Sequence, residues 1–415
     1  MSERVRDVVI VGGGVAGAAC AHRLAAAGAD VLVLEREHQF VDRVRGDVLY
    51  PWGVREAVRL GLMGALGAVS RPVRYWRTRV VGLAERPPRD MAAESGGLGV
   101  RAFLHPELQT ALLGAAERAG AEVVRGTAVT QVRRLPGPER LALVEARVGT
   151  TPVDHPARLV IGADGRGSRT RAWGGFELFA DPAKLMFAGV LLVGAGVGFT
   201  TEALDTAHVF LAPATGLLAT LVPLDASRTR AYLGYHLAAG RHRLGGPTAF
   251  PEFSRLSAAA GVPPDWLAGA EVAGPLSQFP GADTWVDPPY LRGVALVGDA
   301  AGAADPSFGC GVALALRGAA RLTGALLRAG SFAPRALDEA GEAYAGAARA
   351  DFAALHRQTS WLADVFRAPG PAADAVRASL FPLYARDPDR VPDVVLLGPE
   401  GPSDDGAKRR FLGLE

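Results

Sequence analysis

Three glycines near the start of the chain have the spacing G-x-G-x-x-G, which is typical of a turn that binds a pyrophosphate. They are Gly12, Gly14 and Gly17, and Val15 and Ala16 lie between the last two. The first glycine permits a tight turn, the second lets phosphates approach the backbone, and the third lets the following helix pack closely. The N-terminus of that helix offers free N–H groups and the positive end of the helix dipole. We therefore predict that these five residues contact a dinucleotide.

The flanking segments supply the rest of a βαβ unit. The apolar run Asp7–Val11 predicts a buried strand before the glycines, and Ala18–Ala27 predicts a helix of small residues. A second apolar strand, Asp30–Leu34, leads directly into Glu35. A carboxylate about twenty residues after the glycines can accept hydrogen bonds from the ribose hydroxyls of an adenosine. We predict this role for Glu35, and we expect the adjacent Arg36 to contact the cofactor as well.

Two later motifs follow in a defined order. Residues 161–169 read IGADGRGSR, and residues 294–299 read VALVGD before the segment AAGAADPSFGCG. A long helix is predicted from about Val312 to Arg328. Together with the first glycines, this ordered set resembles the flavoprotein monooxygenases of the p-hydroxybenzoate hydroxylase type (group A), from about residue 5 to residue 350. The resemblance implies that the dinucleotide is FAD.

The resemblance also implies roles for individual residues. Asp299 would hold the ribityl chain or the ribose side of FAD. Asp164 and Gly165 would lie near the pyrophosphate and serve both FAD and the nicotinamide cofactor. Arg45 matches a family arginine near the flavin, and Val129 would contact the adenine through its backbone. The remaining implied contacts are one of His105 and Gln109 and, around the isoalloxazine ring, Pro306, Gly309, Cys310, Gly311 and Val312.

The segment around the ring also has a physical basis that is independent of the resemblance. Gly309, Cys310 and Gly311 open a helix, so free N–H groups and the positive dipole end face whatever lies in front of it. A reduced flavin carries negative charge near N1 and the C2 carbonyl, and such a helix end stabilises that charge. Because a carboxylate beside the ring would oppose this effect, we expect Asp305 to point away or to cap the helix.

Between about Gly174 and Asp287, helical periodicity gives way to alternating polar and apolar residues. This pattern predicts a mostly antiparallel sheet with one short helix near Pro251–Ala260, to which Arg71–Leu83 adds a strand. The predicted fold is therefore α/β: a Rossmann-like FAD-binding domain of the GR2 type with an inserted, mostly antiparallel β-sheet substrate domain and a helical C-terminal tail. The predicted boundaries are 1–70, 98–173 and 288–365 for the discontinuous FAD-binding domain, 71–97 and 174–287 for the sheet domain, and 366–415 for the C-terminal extension.

In this arrangement the sheet covers the flavin and forms a substrate cavity at the interface of the two domains. One predicted strand, Arg230–His236, carries Tyr232 and His236 on one face and Tyr235 on the other. These three side chains are candidates for the substrate pocket, with packing in the core or exposure to solvent as the alternative. Trp52 either closes the mouth of the pocket or packs in the core. The sequence identifies no general base and no other catalytic residue.

The resemblance implies a monooxygenase that uses NADPH or NADH and O2. Such an enzyme hydroxylates or epoxidises an organic small molecule through a C4a-hydroperoxyflavin. At the family level the expected substrate is aromatic or polyketide-like. Because no second G-x-G-x-x-G is present, either the nicotinamide would bind transiently or a separate flavin reductase would supply the electrons.

Three alternative functions remain open on the sequence. Gly298-Asp299-Ala-Ala is followed by Gly302 where many hydroxylases have histidine, which leaves room for an FAD-dependent reductase or dehydrogenase. A halogenase-like enzyme of the same fold is the second alternative, although its W-x-W-x-I-P string and its catalytic lysine have no match here. The third, a flavoprotein that only binds a partner or senses redox state, leaves a separate sheet domain over the ring unexplained.

The composition argues against several other classes of protein. The formal net charge of +2 gives no basic field that would attract nucleic acid. Cys20 and Cys310 are the only cysteines, too few for a disulfide framework or a cysteine-based metal cluster, so we expect a cytoplasmic location and no metal. The sequence shows neither a secretory signal pattern nor an apolar run of about 18 residues, so we expect no signal peptide and no membrane span. The expected partner is a small-molecule substrate.

Overall fold

A mainly parallel β-sheet and a mainly antiparallel β-sheet organise the chain. The computed structural model describes residues 4–194, 205–240, 242–246 and 248–415. Within these residues, the two sheets, the helices around them and a helical C-terminal segment confirm the predicted α/β fold class.

Strands and short helices alternate along most of the chain, whereas long helices are concentrated near its C-terminal end. The strands are β1 (Arg6–Val11), β2 (Val31–Glu35), β3 (Val48–Leu49), β4 (Ser70–Val73), β5 (Tyr75–Val80), β6 (Arg89–Asp90), β7 (Val100–Phe103), β8 (Glu122–Arg125), β9 (Thr127–Arg134), β10 (Ala142–Val148), β11 (Thr151–Gly162), β12 (Leu178–Ala180), β13 (Leu185–Val193), β14 (Thr206–Ala212), β15 (Leu217–Pro223), β16 (Arg228–His236), β17 (Glu271–Val272), β18 (Ser277–Gly281), β19 (Thr284–Val286), β20 (Tyr290–Leu291), β21 (Val294–Leu296) and β22 (Gly302–Ala303). The α-helices are α1 (Val15–Ala25), α2 (Pro51–Arg59), α3 (Met63–Val69), α4 (Met91–Glu94), α5 (His105–Arg118), α6 (Arg169–Trp173), α7 (Phe250–Ala259), α8 (Gly311–Ala329), α9 (Pro334–Phe366), α10 (Pro371–Arg386) and α11 (Asp405–Phe411). Short 3₁₀ helices lie at Pro213–Thr215, Leu237–Ala239, Pro264–Trp266, Gly298–Ala300, Pro306–Phe308, Pro388–Arg390 and Gly398–Glu400.

The parallel sheet has the strand order β20-β21-β11-β1-β2-β8, and the hairpin of β9 and β10 extends it alongside β11. In its centre, Val9 of β1 lies opposite Leu32 of β2 and Val160 of β11. All three side chains are buried, as expected for parallel strands covered on both faces. Because β1, β11 and β21 run in the same direction, the loops after them meet at one edge of the sheet. These loops carry the three motifs found in the sequence.

Helices α1, α5 and α8 pack together on this sheet, and α9 packs against α8. Ala18, Ala19 and Ala21 of α1 are fully buried, and their small side chains allow the close approach of the neighbouring helices. None of the described helices combines the length and the apolar character needed to cross a membrane.

The antiparallel sheet has the strand order β17-β13-β16-β15-β14-β5-β6, with β18 beside β13. Strand β5 joins it through parallel pairing with β14, where Tyr75 lies opposite Thr206, which confirms the strand predicted within Arg71–Leu83. One face of the sheet packs against α7, close to the helix predicted near Pro251–Ala260. The core on that side contains Val190, Leu233 and Phe253.

The C-terminal segment returns across the N-terminal part of the chain. The indole Nε1 of Trp52 in α2 donates to the carbonyl of Val394, over a distance of 3.1 Å. Arg55, also in α2, pairs with Glu400 at 2.6 Å. The segment after α10 is therefore an integral layer of the structure and not only a cover on its surface.

A buried arginine joins three parts of the chain. Arg317 of α8 has a side chain that is 5% exposed, and it lies within 3.1 Å of carboxylate oxygens of Glu56 in α2, Asp351 in α9 and Glu400 in the C-terminal segment. Arg321, one turn later, also pairs with Asp351, but its side chain is 41% exposed. Arg317 thereby fixes α8, whose N-terminus lies at the candidate site described below.

We predict that Arg317→Met destabilises the protein by about 3–5 kcal/mol, because it leaves the buried carboxylates of Glu56 and Asp351 with only exposed arginines as partners. The matched change Arg321→Met should cost about 0–1 kcal/mol, since it removes an exposed partner. Denaturant unfolding of the two variants measures both values. Equal effects of the two substitutions would contradict the assignment of Arg317 as the buried tie.

Candidate functional site

A continuous cavity of about 1730 Å³ runs from the carboxyl edge of the parallel sheet to the space under the antiparallel sheet. Pockets for one small ligand usually have about 300–1,000 Å³, so this cavity has room for a large cofactor and a second molecule. Of the residues predicted from the sequence, those that line it are Gly12, Gly14, Val15, Ala16, Glu35, Arg36, Arg45, His105, Gln109, Val129, Asp164, Gly165, Asp299, Pro306, Gly309, Gly311, Val312 and Tyr232.

The first glycine motif forms a tight turn that leaves a helix N-terminus facing the cavity. Gly12 has φ +99°, a backbone conformation that favours glycine. A Cβ at Gly17 would overlap the carbonyl oxygen of Gly12, so this glycine permits the packing of α1 on the turn. Helix α1 has Gly14 as its N-cap, with no side-chain cap and no acidic residue in its first turn. Its free N–H groups suit a phosphate.

Glu35 lies beside this turn at the end of β2. Its side chain is buried, with Oε2 accepting from the Gly13 N–H at 2.7 Å and Oε1 accepting from the Glu37 N–H at 2.8 Å. These two hydrogen bonds fix the carboxylate at the wall of the cavity. A carboxylate has about four acceptor positions, so it can also accept from the hydroxyls of a ribose.

The second motif orders a turn through its aspartate. The Asp164 carboxylate accepts from the Ser168 hydroxyl at 2.6 Å, from the Arg169 N–H at 2.9 Å and from the N–H and hydroxyl of Thr170 at 3.0 Å. Gly165 follows with φ +78° and open space where a Cβ would lie. The carboxylate is thus engaged within the protein, and it is the turn as a whole that faces the cavity.

The third motif directs a second helix N-terminus into the same cavity. Gly309 has φ +67°, and a Cβ there would collide with the Tyr50 hydroxyl. Helix α8 then begins at Gly311 without a side-chain cap and without an acidic residue in its first turn. The Asp305 carboxylate accepts from the Ser307 N–H at 2.8 Å, so it caps the short 3₁₀ helix Pro306–Phe308 and not α8, the helix considered for it in the sequence.

These features fit a dinucleotide such as FAD. Two helix N-termini can bind anionic groups, and Glu35 and Asp299 also line the cavity. No described residue hydrogen-bonds the carboxylate of Asp299, which leaves it available as an acceptor for hydroxyl groups.

A buried polar cluster fixes the segment that carries Arg45. The Asp47 carboxylate lies 2.7 Å from Arg230 Nε, accepts from the Tyr232 hydroxyl at 2.7 Å and accepts from the His105 N–H at 2.9 Å. The Tyr232 hydroxyl also lies 3.0 Å from the Arg45 carbonyl. Burial raises the pKa of Asp47, and the charge of Arg230 opposes that shift. The cluster ties the cavity wall at 45–47 to strand β16.

Five predicted site residues do not line the cavity. Gly17 lies behind the turn, as described above, and the fully buried Cys310 thiol contacts the Phe308 carbonyl at 3.4 Å. Trp52 packs in the core beside Val394, which is the second of the two roles considered for it. Because side chains alternate across a strand, Tyr235 lies on the face of β16 opposite Tyr232 and hydrogen-bonds the His242 carbonyl. His236, at the end of the strand, accepts from the Ala238 N–H instead. The structure therefore places these last three residues, Trp52, Tyr235 and His236, outside this cavity.

The C-terminal part of the chain forms a section of the cavity wall that was not predicted from the sequence. Leu362, Phe366 and Arg367 at the end of α9, Tyr384 of α10 and residues 388–397 all line the cavity. Opposite them, Trp76, Phe187 and Phe279 belong to the antiparallel sheet layer. The mixture of Pro, Val and Leu at 391–397 was the available signal, since an exposed extension does not need so many apolar residues.

A titratable cluster lies behind the Asp305 loop. His356 Nε2 is 2.8 Å from Asp181 and 3.9 Å from Asp283, and Asp283 accepts from the Asp305 N–H at 2.7 Å. Burial raises the pKa of Asp283 to about 6, while the hydrogen bond from Asp305 and the nearby His356 act in the opposite direction. The three side chains are close enough to hold a metal ion, but the short contact between His356 and Asp181 is that of a hydrogen-bonded pair. The cluster braces the loop before α8.

Comparison with known proteins gives a family and a fold. The family model described as "FAD binding domain" matches residues 6–345. Among solved structures, p-nitrophenol 4-monooxygenase from Pseudomonas putida DLL-E4 superposes with a TM-score of 0.73 and 19% identity, covering 93% of this chain and 95% of that one. Anhydrotetracycline hydroxylase from Streptomyces rimosus gives 0.71 and 20%, covering 99% and 75%. These likenesses confirm the predicted resemblance at the level of family and fold.

The similarity to curated relatives is local. Squalene epoxidase 2, mitochondrial, from Arabidopsis thaliana is 48% identical over 56 residues, which is 14% of this chain and 10% of that protein. The segment of this chain that matches thus covers about a tenth of the length of that relative.

We predict that Glu35→Ala weakens FAD binding by about 10-fold or more, because charge-assisted hydrogen bonds contribute about 1.5–3 kcal/mol each. Titration of apo-protein with FAD, followed by fluorescence, measures the affinity. Glu122→Ala, which removes an exposed carboxylate from the neighbouring strand β8, is the control and should leave the affinity unchanged. If Glu35→Ala binds FAD as tightly as the unmodified protein, the role assigned to Glu35 is wrong.

The raised pKa of Asp283 predicts a pH-dependent stability. Relative to an unfolded value of about 3.9, a folded pKa of about 6 gives a contribution that is present at pH 4 and lost as the pH rises through 6. The free energy of unfolding relative to Asp283→Asn, which does not ionise, should therefore fall by on the order of 2 kcal/mol between pH 4 and pH 7. Urea unfolding across this range measures the difference, with Asp364→Asn, at an exposed carboxylate, as the control. A constant difference, or one that grows with pH, would refute the assignment.

Proposed function

The chain belongs to the FAD binding domain family, and from this premise we propose that it is a flavin-dependent monooxygenase that uses NADPH or NADH and O2 to oxygenate an organic small molecule. The observation that carries the proposal is the continuity of the cavity. The groove at the two helix N-termini opens directly into an apolar chamber under the antiparallel sheet. A flavin and a substrate would share that space.

The site geometry and the family resemblance together support the following roles for the residues that would hold FAD. Glu35 would bind the ribose of the adenosine, the start of α1 the pyrophosphate, and Asp299 the ribityl chain. The loop of Gly309 and the start of α8 would contact the ring. When bound and reduced, FAD supplies the activation of oxygen. The N–H groups at the start of α8 would stabilise negative charge at that end of the cavity.

The chamber beside this end is suited to exclude water. Trp76, Phe187, Phe279, Val222 and Leu211 form an apolar wall on the side of the sheet. Phe366 of α9, Tyr384 of α10 and residues 391–397 add further apolar groups to the lining. A chamber without water prevents the hydrolysis of reactive intermediates. It also prevents unwanted proton transfer from solvent. The protein would thus protect the oxygen transfer by packing.

The two buried phenols that line the cavity, Tyr50 and Tyr232, are not suited to act as general bases. Burial raises the pKa of Tyr232, whose hydroxyl donates to Asp47, and the pKa of Tyr50, whose hydroxyl donates to the Phe308 carbonyl. Both phenols are therefore neutral at physiological pH. We infer that neither phenol activates the substrate by accepting its proton.

The proposed substrate is an aromatic or polyketide-like molecule that is hydroxylated. The aromatic wall and the size of the cavity favour a planar ring system. The fold neighbours include one protein named for p-nitrophenol and one for anhydrotetracycline, whereas epoxidation is suggested only by the short likeness to squalene epoxidases.

We predict that NADPH or NADH reduces the purified holoenzyme, and that the reduced enzyme incorporates oxygen into an electron-rich aromatic probe such as hydroxynaphthoate. Anaerobic spectrophotometry follows the bleaching of the flavin. Mass spectrometry after reaction with isotopically labelled dioxygen follows the label, with catalase present to remove free peroxide. Apo-protein and a reaction in labelled water with unlabelled dioxygen are the controls, and neither should give labelled product.

The outcomes separate the alternatives. Label from dioxygen in the product supports the monooxygenase. Product formation without label would overturn the proposal in favour of a reductase or dehydrogenase. The flavin could also be bleached only when a flavin reductase is added, and not by either nicotinamide alone. If labelled product then forms, the protein is still a monooxygenase, but a separate protein supplies its electrons.

A further inference from the structure

An arginine in the chamber wall has two nitrogen atoms for which the described residues provide no hydrogen-bond partner. Arg367 follows directly after α9, is 7% exposed and lines the cavity. Its Nε and Nη1 atoms are buried, and no described residue accepts a hydrogen bond from either. Leaving a buried charged group unpaired is costly, so such a group calls for a specific explanation.

Two structural roles could explain an arginine at this position: binding the carbonyls at the end of α9, and stacking on an aromatic ring. Another residue performs the first role, and the second does not satisfy the N–H groups of the guanidinium. Arg377 of α10 donates to the carbonyls of Val365 and Ala368, so the end of α9 does not depend on the Arg367 side chain. The Arg367 guanidinium carbon lies 5.2 Å from the centre of the Phe308 ring. That cation–π contact covers one face of the guanidinium but leaves the N–H groups at its edge unsatisfied.

Other arginines along the same wall are paired. Arg89 pairs with Asp393, Arg390 with Glu415 and Arg410 with Asp387, and Arg86 donates to the Tyr384 carbonyl. Arg230, in the sheet layer, is as deeply buried as Arg367 but has Asp42 and Asp47 within 2.7 Å. Arg367 therefore differs from these residues in facing the cavity without a carboxylate.

The guanidinium also keeps its charge. Burial lowers the pKa of Arg367 to about 10, while Asp305 and Tyr50 act in the opposite direction. The group is thus a cation at neutral pH, beside the loop Pro306–Phe308 that precedes α8. A planar oxyanion is the ligand that matches an unpaired guanidinium edge.

We propose that Arg367 binds an anionic oxygen group of the substrate, a carboxylate or an ionised phenol or enol, and anchors the substrate beside the Phe308 loop. This inference rests on the proposed function, because it assigns the chamber to a substrate, and it narrows the substrate class to acidic aromatic molecules. A hydrocarbon such as a terpene would leave the guanidinium unpaired in an apolar space. The structure therefore favours hydroxylation of an acidic ring over epoxidation of an apolar alkene.

The test compares two probes of nearly equal shape, naphthoate and naphthamide, of which only naphthoate carries a charge. Each is titrated into the oxidised holoenzyme without nicotinamide, and binding is followed by perturbation of the flavin absorption and by tryptophan fluorescence. The unmodified protein should bind naphthoate about 10-fold or more tightly than naphthamide. Arg367→Met should abolish this preference, and Arg367→Lys should retain part of it. The control is Arg357→Met, which replaces an exposed arginine of α9 and should leave the preference unchanged.

A second measurement shows whether Arg367 has a merely structural role. If the residue is kept for binding, Arg367→Met should retain the FAD content and should leave the melting temperature equal or higher, since an apolar side chain replaces an unpaired charge. A lower melting temperature together with an unchanged preference for naphthoate would overturn the proposal. Equal binding of the two probes by the unmodified protein, or no binding of naphthoate, would overturn it as well.

Two further measurements distinguish an effect of Arg367 on substrate binding from an effect on the flavin or on oxygenation. A shift of the flavin midpoint potential in Arg367→Met, with the affinity for naphthoate unchanged, would assign the charge to the flavin and overturn the proposal. Since probe binding needs neither reduction nor oxygen, a preference for naphthoate that depends on Arg367 supports the anion site even if no oxygenation is found. Conversely, labelled product in the oxygenation assay without such a preference would retain the monooxygenase and reject the anion site.

Discussion

Two helices that begin without side-chain caps face one cavity, and the rest of the site is arranged around them. The first N–H groups of a helix have no partner within the helix, and Ser, Thr, Asp or Asn usually satisfies one of them. Here Gly14 precedes α1, and Cys310 and Gly311 stand at the start of α8, so neither helix is capped by a side chain. The parallel strands β1 and β21 bring both helix ends to the same edge of the sheet. We propose that FAD satisfies both ends at once, with its pyrophosphate at α1 and the ring, negatively charged when reduced, at α8.

Buried charges determine how the layers around this cavity are joined. Asp47 holds the wall segment at Arg45 to strand β16 through Arg230 and Tyr232. Arg317 joins α8 to the C-terminal segment. In each case the charge is neutralised by partners from distant parts of the chain. Arg367 lacks such a partner among the described residues, and for that reason its charge is available to a ligand.

Local sequence patterns were sufficient for the parts of the site that depend on backbone conformation. The three glycine-containing motifs, Glu35 at the end of β2 and the capping by Asp305 all follow from rules that operate over a few residues. Alternation along β16 separated Tyr232 from Tyr235, but it could not show which face of the strand meets the cavity. The position of Trp52 depends on Val394, more than three hundred residues later, and no local pattern encodes that contact. The C-terminal wall and Arg367 were missed for the same reason.

We propose that one cavity holds FAD at the two uncapped helix N-termini and leaves a chamber for substrate beside the ring. A crystal structure of the protein with FAD tests this claim most directly. We predict that the pyrophosphate lies at the N–H groups that begin α1 and that a ribose contacts Glu35. The isoalloxazine ring should lie at the start of α8, with the space toward Arg367 free. A dinucleotide bound elsewhere, or a ring that fills the chamber up to Arg367, would contradict it.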